Sequence, residues 1–155
     1  MEDFFQNFGP EPLDETFTFR IFFSRLQAKK TRIKPLLLDQ SFLAGLGNIY
    51  ANEALFLARI HPAKSASKVT EKEAGRLFGS IRKVLQDGIE NGGTSLGRNA
   101  LNFFDSGHHF GSNQNFLLVH EKAGQLCPQC RKKIIQKVRL GQRSAYFCPG
   151  CQKSC

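Results

Sequence analysis

Four cysteines constrain this chain more than any other feature, because they fall near one end as C-x2-C-x17-C-x2-C, at 127, 130, 148 and 151. Each x2 pair can close a tight knuckle, with Pro128 and Pro149-Gly150 supplying turn residues, so that four sulfurs converge on one point. A tetrahedral zinc ion suits that arrangement. Two disulfides are the alternative, and they belong in a secreted mini-protein. The acidic start MEDFFQNFGPEPLDE lacks the basic-then-apolar build of a secretory leader. The pattern predicts one structural zinc held by Cys127, Cys130, Cys148 and Cys151, with Cys155 outside it as a free thiol. No apolar run reaches 18 residues, so no membrane span is expected and the cytoplasm is the expected location.

The segment between the knuckles is cationic. Of 22 Lys and Arg residues, seven lie within 127–155 (Arg131, Lys132, Lys133, Lys137, Arg139, Arg143 and Lys153), and none of the 13 acids does. A zinc tetrathiolate carries about −2, so this end keeps a charge of about +5. The net charge of +9 is therefore concentrated where a phosphate-binding surface would need it. Alternation over residues 134–140, a turn near Gly141-Gln142 and a return over 144–147 predict a β-hairpin. Lys137 and Arg139 should share one face, and Arg143 should project at or just after the turn.

Upstream the pattern is helical. Gly9-Pro10-Glu11-Pro12 breaks regular structure, which makes residues 1–13 a lead-in. A helix is expected after Asp14 as N-cap, with Phe19, Phe22, Phe23 and Leu26 on its apolar face. The charge run Lys29 to Lys34 reads as a solvated helix end, and Pro35 can sit in the first turn of a short helix. Gly45 and Gly47 mark a turn, and Asn48 is expected to N-cap a helix burying Ala51, Ala54, Leu55 and Ala58 until Ile60-His61-Pro62 ends it. Thr70-Glu71-Lys72-Glu73 fits a capping box. The stripe behind it, Ala74, Leu77, Phe78, Ile81, Val84, Leu85 and Ile89, should be core, with Asn91-Gly92-Gly93 as the stop. The polar stretch SGHHFGSNQNF reads as a surface loop, and its His108 and His109 as solvent-facing residues. The expected fold class is mainly α with a small C-terminal four-cysteine zinc β-hairpin.

Two elements suit phosphate. Gly45-Leu46-Gly47-Asn48 opens a helix, where glycine permits close backbone approach at Gly47 and unpaired N–H groups favour an anion. A tight turn with an ordinary cap would look the same. The second element is the basic zinc hairpin with Arg143 at its tip.

Taken in order, IKPLLLDQSFLAGLGNIYANEALFLARIHP (33–62), the NGGTSL stretch and GQRSAYFCPGCQ (141–152) resemble the formamidopyrimidine-DNA glycosylase / endonuclease VIII family, the formamidopyrimidine branch above all. The resemblance covers essentially the whole chain. It implies a helix–two-turn–helix domain over 14–124 and a zinc finger over 125–155. It also implies enzymes that excise oxidised bases such as 8-oxoguanine from duplex DNA and then cleave the abasic strand by β,δ-elimination. Asn48 matches the family's phosphate-holding asparagine, Arg143 its finger-tip arginine, and Lys34 a lysine linked to lesion or phosphate contact. Double-stranded DNA with an oxidised base or abasic site is thus the implied partner, bound by a monomer at the nucleoid. Residues 94–118 correspond to the loop over the everted base but depart from its pattern, and Leu118 to Lys122 depart from the family's Tyr-Gly-Arg.

The family's nucleophile is an N-terminal proline amine followed by a catalytic glutamate, with a further lysine, all on a β-sandwich domain. This sequence begins Met1-Glu2-Asp3-Phe4, and Glu2 does not fill that role. The expectation is a DNA-binding portion without the catalytic domain, inactive alone, since phosphate clamps do not replace Schiff-base chemistry. A free-standing, non-catalytic zinc-dependent DNA-binding protein is the alternative expectation.

Overall fold

A computed structural model describes residues 8–90 and 117–153. The expected stop at Asn91-Gly92-Gly93, the loop with His108 and His109, and Cys155 lie outside the described residues. Among these residues the chain forms α1 (Phe19–Gln27), α2 (Ile33–Leu38), α3 (Asn48–Ala58), a 3-10 turn (Ala66–Lys68), α4 (Glu71–Glu90), β1 (Gln136–Leu140) and β2 (Arg143–Phe147). The fold is mainly α with a C-terminal β-hairpin. No helix among the described residues is long and apolar enough to cross a membrane.

The first helix starts later than expected. Thr18 is its N-cap, with its hydroxyl accepting from the Ile21 N–H, while Asp14 folds into a local turn by accepting from the Thr16 N–H and hydroxyl. Asp and Ser/Thr compete for such local bonds, and here Thr18 stands closer to the apolar face it must launch. Phe22 and Leu26 are buried, with Phe19 and Phe23 half-buried beside them. In the short α2, Pro35 occupies the first turn, where its absent N–H costs nothing. The two N–H groups ahead of it are satisfied from outside, Ile33 by the Lys64 carbonyl (2.7 Å) and Lys34 by the Pro62 carbonyl (3.1 Å).

The capping box forms as the sequence predicts. Glu73 N–H donates to the Thr70 hydroxyl at 3.1 Å, and Thr70 N–H donates to Glu73 Oε1 at 3.0 Å. Ala74, Leu77, Ile81 and Val84 bury the stripe behind it against α1 and α3, and Phe17, Phe22 and Phe78 cluster around its first turns. Ile89 departs from the expected core: it is 71% exposed and lines an open hollow with Pro12, Leu13 and Tyr50.

Helix α3 packs on α2, α4 and β2. Ala51, Ala54, Leu55 and Ala58 face the helical core as expected. Its other side carries Phe56 into a second cluster with Val119, Cys127, Ile135, Tyr146 and Cys148, so the zinc module's core includes a helix side chain. The lead-in is pinned to the same unit, because Gly9 N–H donates to the Gln40 carbonyl and the Pro10 carbonyl accepts from Ala44 N–H. β1 and β2 pair antiparallel across a two-residue turn, with Gly141 at φ 65° in the left-handed region that favours glycine. The strands start at Gln136 and Arg143, two residues later and one earlier than the alternation suggested.

Close packing at α4 gives a test. A Cβ at Gly88 would collide with the Tyr50 hydroxyl and lie 2.8 Å from its Cζ, whereas one at Gly79 meets nothing within 4 Å. Denaturant unfolding should show Gly88→Ala destabilised by about 1–3 kcal/mol. The same measurement should show Gly79→Ala stabilised by about 0.5–1 kcal/mol, from helix propensity alone.

Candidate nucleic-acid interface

The zinc site is built from two knuckles. The four sulfurs lie within 4.8 Å of one another, with Cys127···Cys151 at 3.9 Å and Cys130···Cys148 at 3.8 Å. Zinc–sulfur bonds of about 2.3 Å put tetrahedral sulfurs about 3.8 Å apart, while a disulfide needs about 2.05 Å, so the residues fit a metal and not two bridges. Amide N–H groups point at the sulfurs, from Gln129 to Cys127 at 3.3 Å and from Cys151 to Cys148 at 3.4 Å. The Lys132 and Lys133 amides draw the Cys130 thiol down to about 6, while burial and the neighbouring thiols push Cys151 up to about 12. Four thiolates do not gather here unaided; a dication makes the shell favourable. The chain therefore has a site for one zinc ion.

The hairpin does not hang free of the helices. Gln152 is buried, accepting from Cys148 N–H at 2.9 Å and donating to the Ile60 carbonyl at 3.0 Å. His61 packs on Phe147, with ring centroids 4.6 Å apart. Glu53, 4% exposed, accepts the Leu118, Val119 and His120 amides at 2.7, 2.8 and 2.8 Å. Burial pushes its carboxyl up, against the downward pull of those three amides. Glu121, just beyond, takes φ 57°, a conformation in which glycine rests without strain, in the stretch where the resembled family carries Tyr-Gly-Arg.

The candidate DNA-contacting residues meet at this seam. Asn48 is not the N-cap expected from its position. Gly47 is, and no side chain caps the helix, so Asn48 becomes the first helical residue with its amide free for other use. Its Oδ1 accepts from Lys34 Nζ, and its Nδ2 donates to the Ser144 carbonyl at 3.4 Å. Lys34 Nζ donates to the same carbonyl at 2.9 Å. The structure thus brings Lys34, Asn48 and the backbone beside Arg143 together, from segments 14 and 110 residues apart.

Two cations, Lys34 and Arg143, face each other at this junction. Lys34 is only 1% exposed; burial first, and the Arg143 charge second, bring its ammonium down to about 8. Among the described residues no carboxylate lies within ion-pair distance of Lys34 or Arg143. Lys64, by contrast, meets Glu73 at 2.8 Å. The first turn of α3 carries no acid and its amides have no side-chain cap, so their partial positive charge adds to the same region. Gly47 is exposed, and a Cβ there would project into open space that glycine leaves clear for an approaching group. Arg143 is exposed at the start of β2, and Lys137 and Arg139 pair across the ladder with Tyr146 and Ser144, which puts those two cations on one face.

Reasoning from the sequence missed Asn52, Glu53, His120 and Gln152, all buried polar side chains in this seam. The available signal was the i, i+4 spacing of Asn48 and Asn52 on a helix otherwise rich in Ala and Leu.

The sequence matches the formamidopyrimidine-DNA glycosylase H2TH domain over residues 8–99 and the zinc finger found in FPG and IleRS over residues 124–153. It is 49% identical over 145 residues to the formamidopyrimidine-DNA glycosylase of Pelotomaculum thermopropionicum, covering 94% of this chain and 51% of that protein. The fold is similar to that of the Lactococcus lactis Fpg in complex with an abasic site containing DNA (TM-score 0.83, 38% identity, 98% of this chain and 54% of that one). It is likewise similar to a MutM in complex with carbocyclic 8-oxo-G containing DNA (TM-score 0.85, 39% identity, 98% and 53%). The chain spans about half the length of the curated relatives it matches.

Replacing Glu53 by Gln sets an NH2 group against amide donors. Hydrogen bonds to a charged acceptor are worth about 1.5–3 kcal/mol, so Glu53→Gln should lose about 2 kcal/mol in denaturant unfolding while keeping its zinc. An unchanged midpoint would mean that the carboxylate does not hold residues 118–120.

Proposed function

Because the chain belongs to the formamidopyrimidine-DNA glycosylase H2TH domain family, we propose that it is the damaged-DNA-binding part of a base-excision-repair glycosylase/AP lyase of the formamidopyrimidine type. It divides into a lead-in over 1–13, a helix–two-turn–helix domain over 14–124 and a zinc finger over 125–155. It binds duplex DNA with an oxidised base or abasic site, as a monomer in the cytoplasm, on nucleoid DNA. The observation that carries this reading is the convergence of Lys34, Asn48 and the Arg143–Ser144 corner, with no carboxylate in ion-pair distance among the described residues. A buried cation beside a second cation is costly, and a phosphate between them relieves both the desolvation and the repulsion.

Each residue then has a part. The α3 amides at Gly47-Asn48 and the Asn48 side chain hold phosphates of the strand that carries the lesion. Arg143, on the hairpin tip, reaches into the minor groove and binds the phosphates flanking the displaced nucleotide. Lys34 holds Asn48 and Ser144 in place and adds its charge. Zinc supplies no chemistry in this scheme: bound by Cys127, Cys130, Cys148 and Cys151, it keeps the hairpin folded so that Arg143 is presented.

Binding alone does not cleave a glycosidic bond or a strand. The amine of the site, Lys34, is buried and donates to Asn48 Oδ1 and the Ser144 carbonyl, so it is not presented as a nucleophile. We therefore propose that these 155 residues bind abasic DNA without forming a Schiff base. Borohydride added to the chain with abasic duplex should trap no covalent adduct; an adduct would overturn that part of the reading. Arg143→Ala should weaken abasic-duplex binding and lower the slope of log affinity against log salt by about one, the loss of one phosphate contact. An unchanged slope and affinity would remove Arg143 from the interface.

A further inference from the structure

A two-stranded sheet leaves each strand one unpaired edge, and the outer edge of β2 is buried against α3. The groups that face outward there include the Ser144 carbonyl and the Tyr146 N–H, two residues apart, the spacing at which a neighbouring strand would offer one donor and one acceptor. Among the described residues no strand pairs with that edge. In its place stands the side-chain amide of Asn52, 1% exposed, one turn beyond Asn48 on α3. Its Oδ1 accepts from Tyr146 N–H at 3.3 Å and its Nδ2 donates to the Ser144 carbonyl at 3.4 Å. A carboxamide has the shape and polarity of a peptide group, and here it fills the place of one.

The two backbone partners also fix which way the amide points. A backbone N–H only donates and a carbonyl only accepts, so Oδ1 must face Tyr146 and Nδ2 must face Ser144. The second Nδ2 hydrogen then goes to His120 Nδ1, 2.9 Å away, which makes Nδ1 an acceptor and places the His120 proton on Nε2. His120 in turn packs edge-on against Tyr146, centroids 5.2 Å apart. One buried amide thus ties the incoming strand edge, the residue after Arg143 and the segment entering the zinc module to a single point on α3.

We propose that Asn52 is the positioning residue that sets the register of the zinc hairpin on the helical unit and thereby aims Arg143. Ser144 is bonded covalently to Arg143, and its carbonyl also accepts from Lys34 and Asn48. Those two side chains supply donors alone, whereas Asn52 pairs with a donor and an acceptor of the strand at once. Such a paired contact holds the strand at two points, whereas lone donors hold one carbonyl and leave the strand free to pivot about it. The proposal rests on the reading of Arg143 as a phosphate contact.

A double-mutant cycle on the zinc-loaded chain tests it, with affinity for an abasic duplex as the readout. Asn52→Ala alone should weaken binding about tenfold, while in the Arg143→Ala background the further loss should shrink to about twofold or less. Equal losses in both backgrounds, or no loss in either, would overturn the proposal. If Arg143→Ala alone leaves affinity unchanged, the phosphate reading itself falls, and this proposal with it. Hydrogen exchange gives a readout independent of DNA: the Tyr146 amide should exchange faster in Asn52→Ala, with zinc content and helical circular dichroism retained. An unaltered Tyr146 rate would contradict the strand-edge pairing. Should Asn52→Ala fail to fold, Asn52→Ser carries the same cycle and the same exchange measurement.

Discussion

Helix α3 is buried on both sides, and the proposed grip on DNA depends on that burial. One side packs Ala51, Ala54, Leu55 and Ala58 into the helical core. The other sends Phe56 into the cluster around Cys127 and Cys148, while Asn52 and Glu53 bond backbone of the hairpin and of the segment leading to it. A helix in this position has no solvent face to carry its polar residues. Each must find a partner inside, because an unpaired buried polar group costs about 1–3 kcal/mol. The partners it finds belong to the zinc module, and so satisfying α3 is the same event as docking the hairpin.

That docking creates an electrostatic asymmetry. At the Lys64–Glu73 pair the protein neutralises a partly buried cation with a carboxylate. At the seam it does the opposite: Lys34 is enclosed beside Arg143, held by the neutral oxygens of Asn48 and Ser144, with its ammonium drawn down to about 8. Two cations kept together, with no carboxylate in ion-pair distance among the described residues, are tolerated because helix and finger are fixed by contacts that do not involve them: Glu53 on the 118–120 amides, Gln152 on Ile60, and Phe56 in the second core. Under the proposed function the arrangement is preorganised, and an incoming phosphate finds donors already placed rather than having to gather them.

The readings that held are those governed by local chemistry. The cysteine spacing, the Thr70–Glu73 box and the Gly141 turn each involve groups close in sequence, so the residues alone determine the geometry. Asn48 departs from expectation because the local rule for an asparagine after glycine is an N-cap, whereas its amide goes to Lys34 and to Ser144, 96 residues away. Asp14 failed for a smaller reason, since Thr18 was the better-placed cap. Ile89 keeps the helical period of its stripe yet opens onto a hollow, because period describes a face and not what covers it. The roles of Asn52, Glu53 and Gln152 were not legible, since polar residues on a helix or at a chain end ordinarily read as solvent-facing. Burial turned them into the fasteners of the site.

Under the proposed function, zinc matters to DNA only through the docked hairpin, which brings the Arg143–Ser144 corner to Asn48. Affinity for an abasic duplex and for the same intact duplex, measured on zinc-loaded and on chelated protein at one salt concentration, tests it most directly. The zinc-loaded chain should prefer the abasic duplex, and chelation should abolish this preference, leaving a weaker, sequence- and lesion-independent attraction to phosphate. A chelated protein that still distinguished abasic from intact DNA would contradict it, because discrimination would then reside in the helices alone.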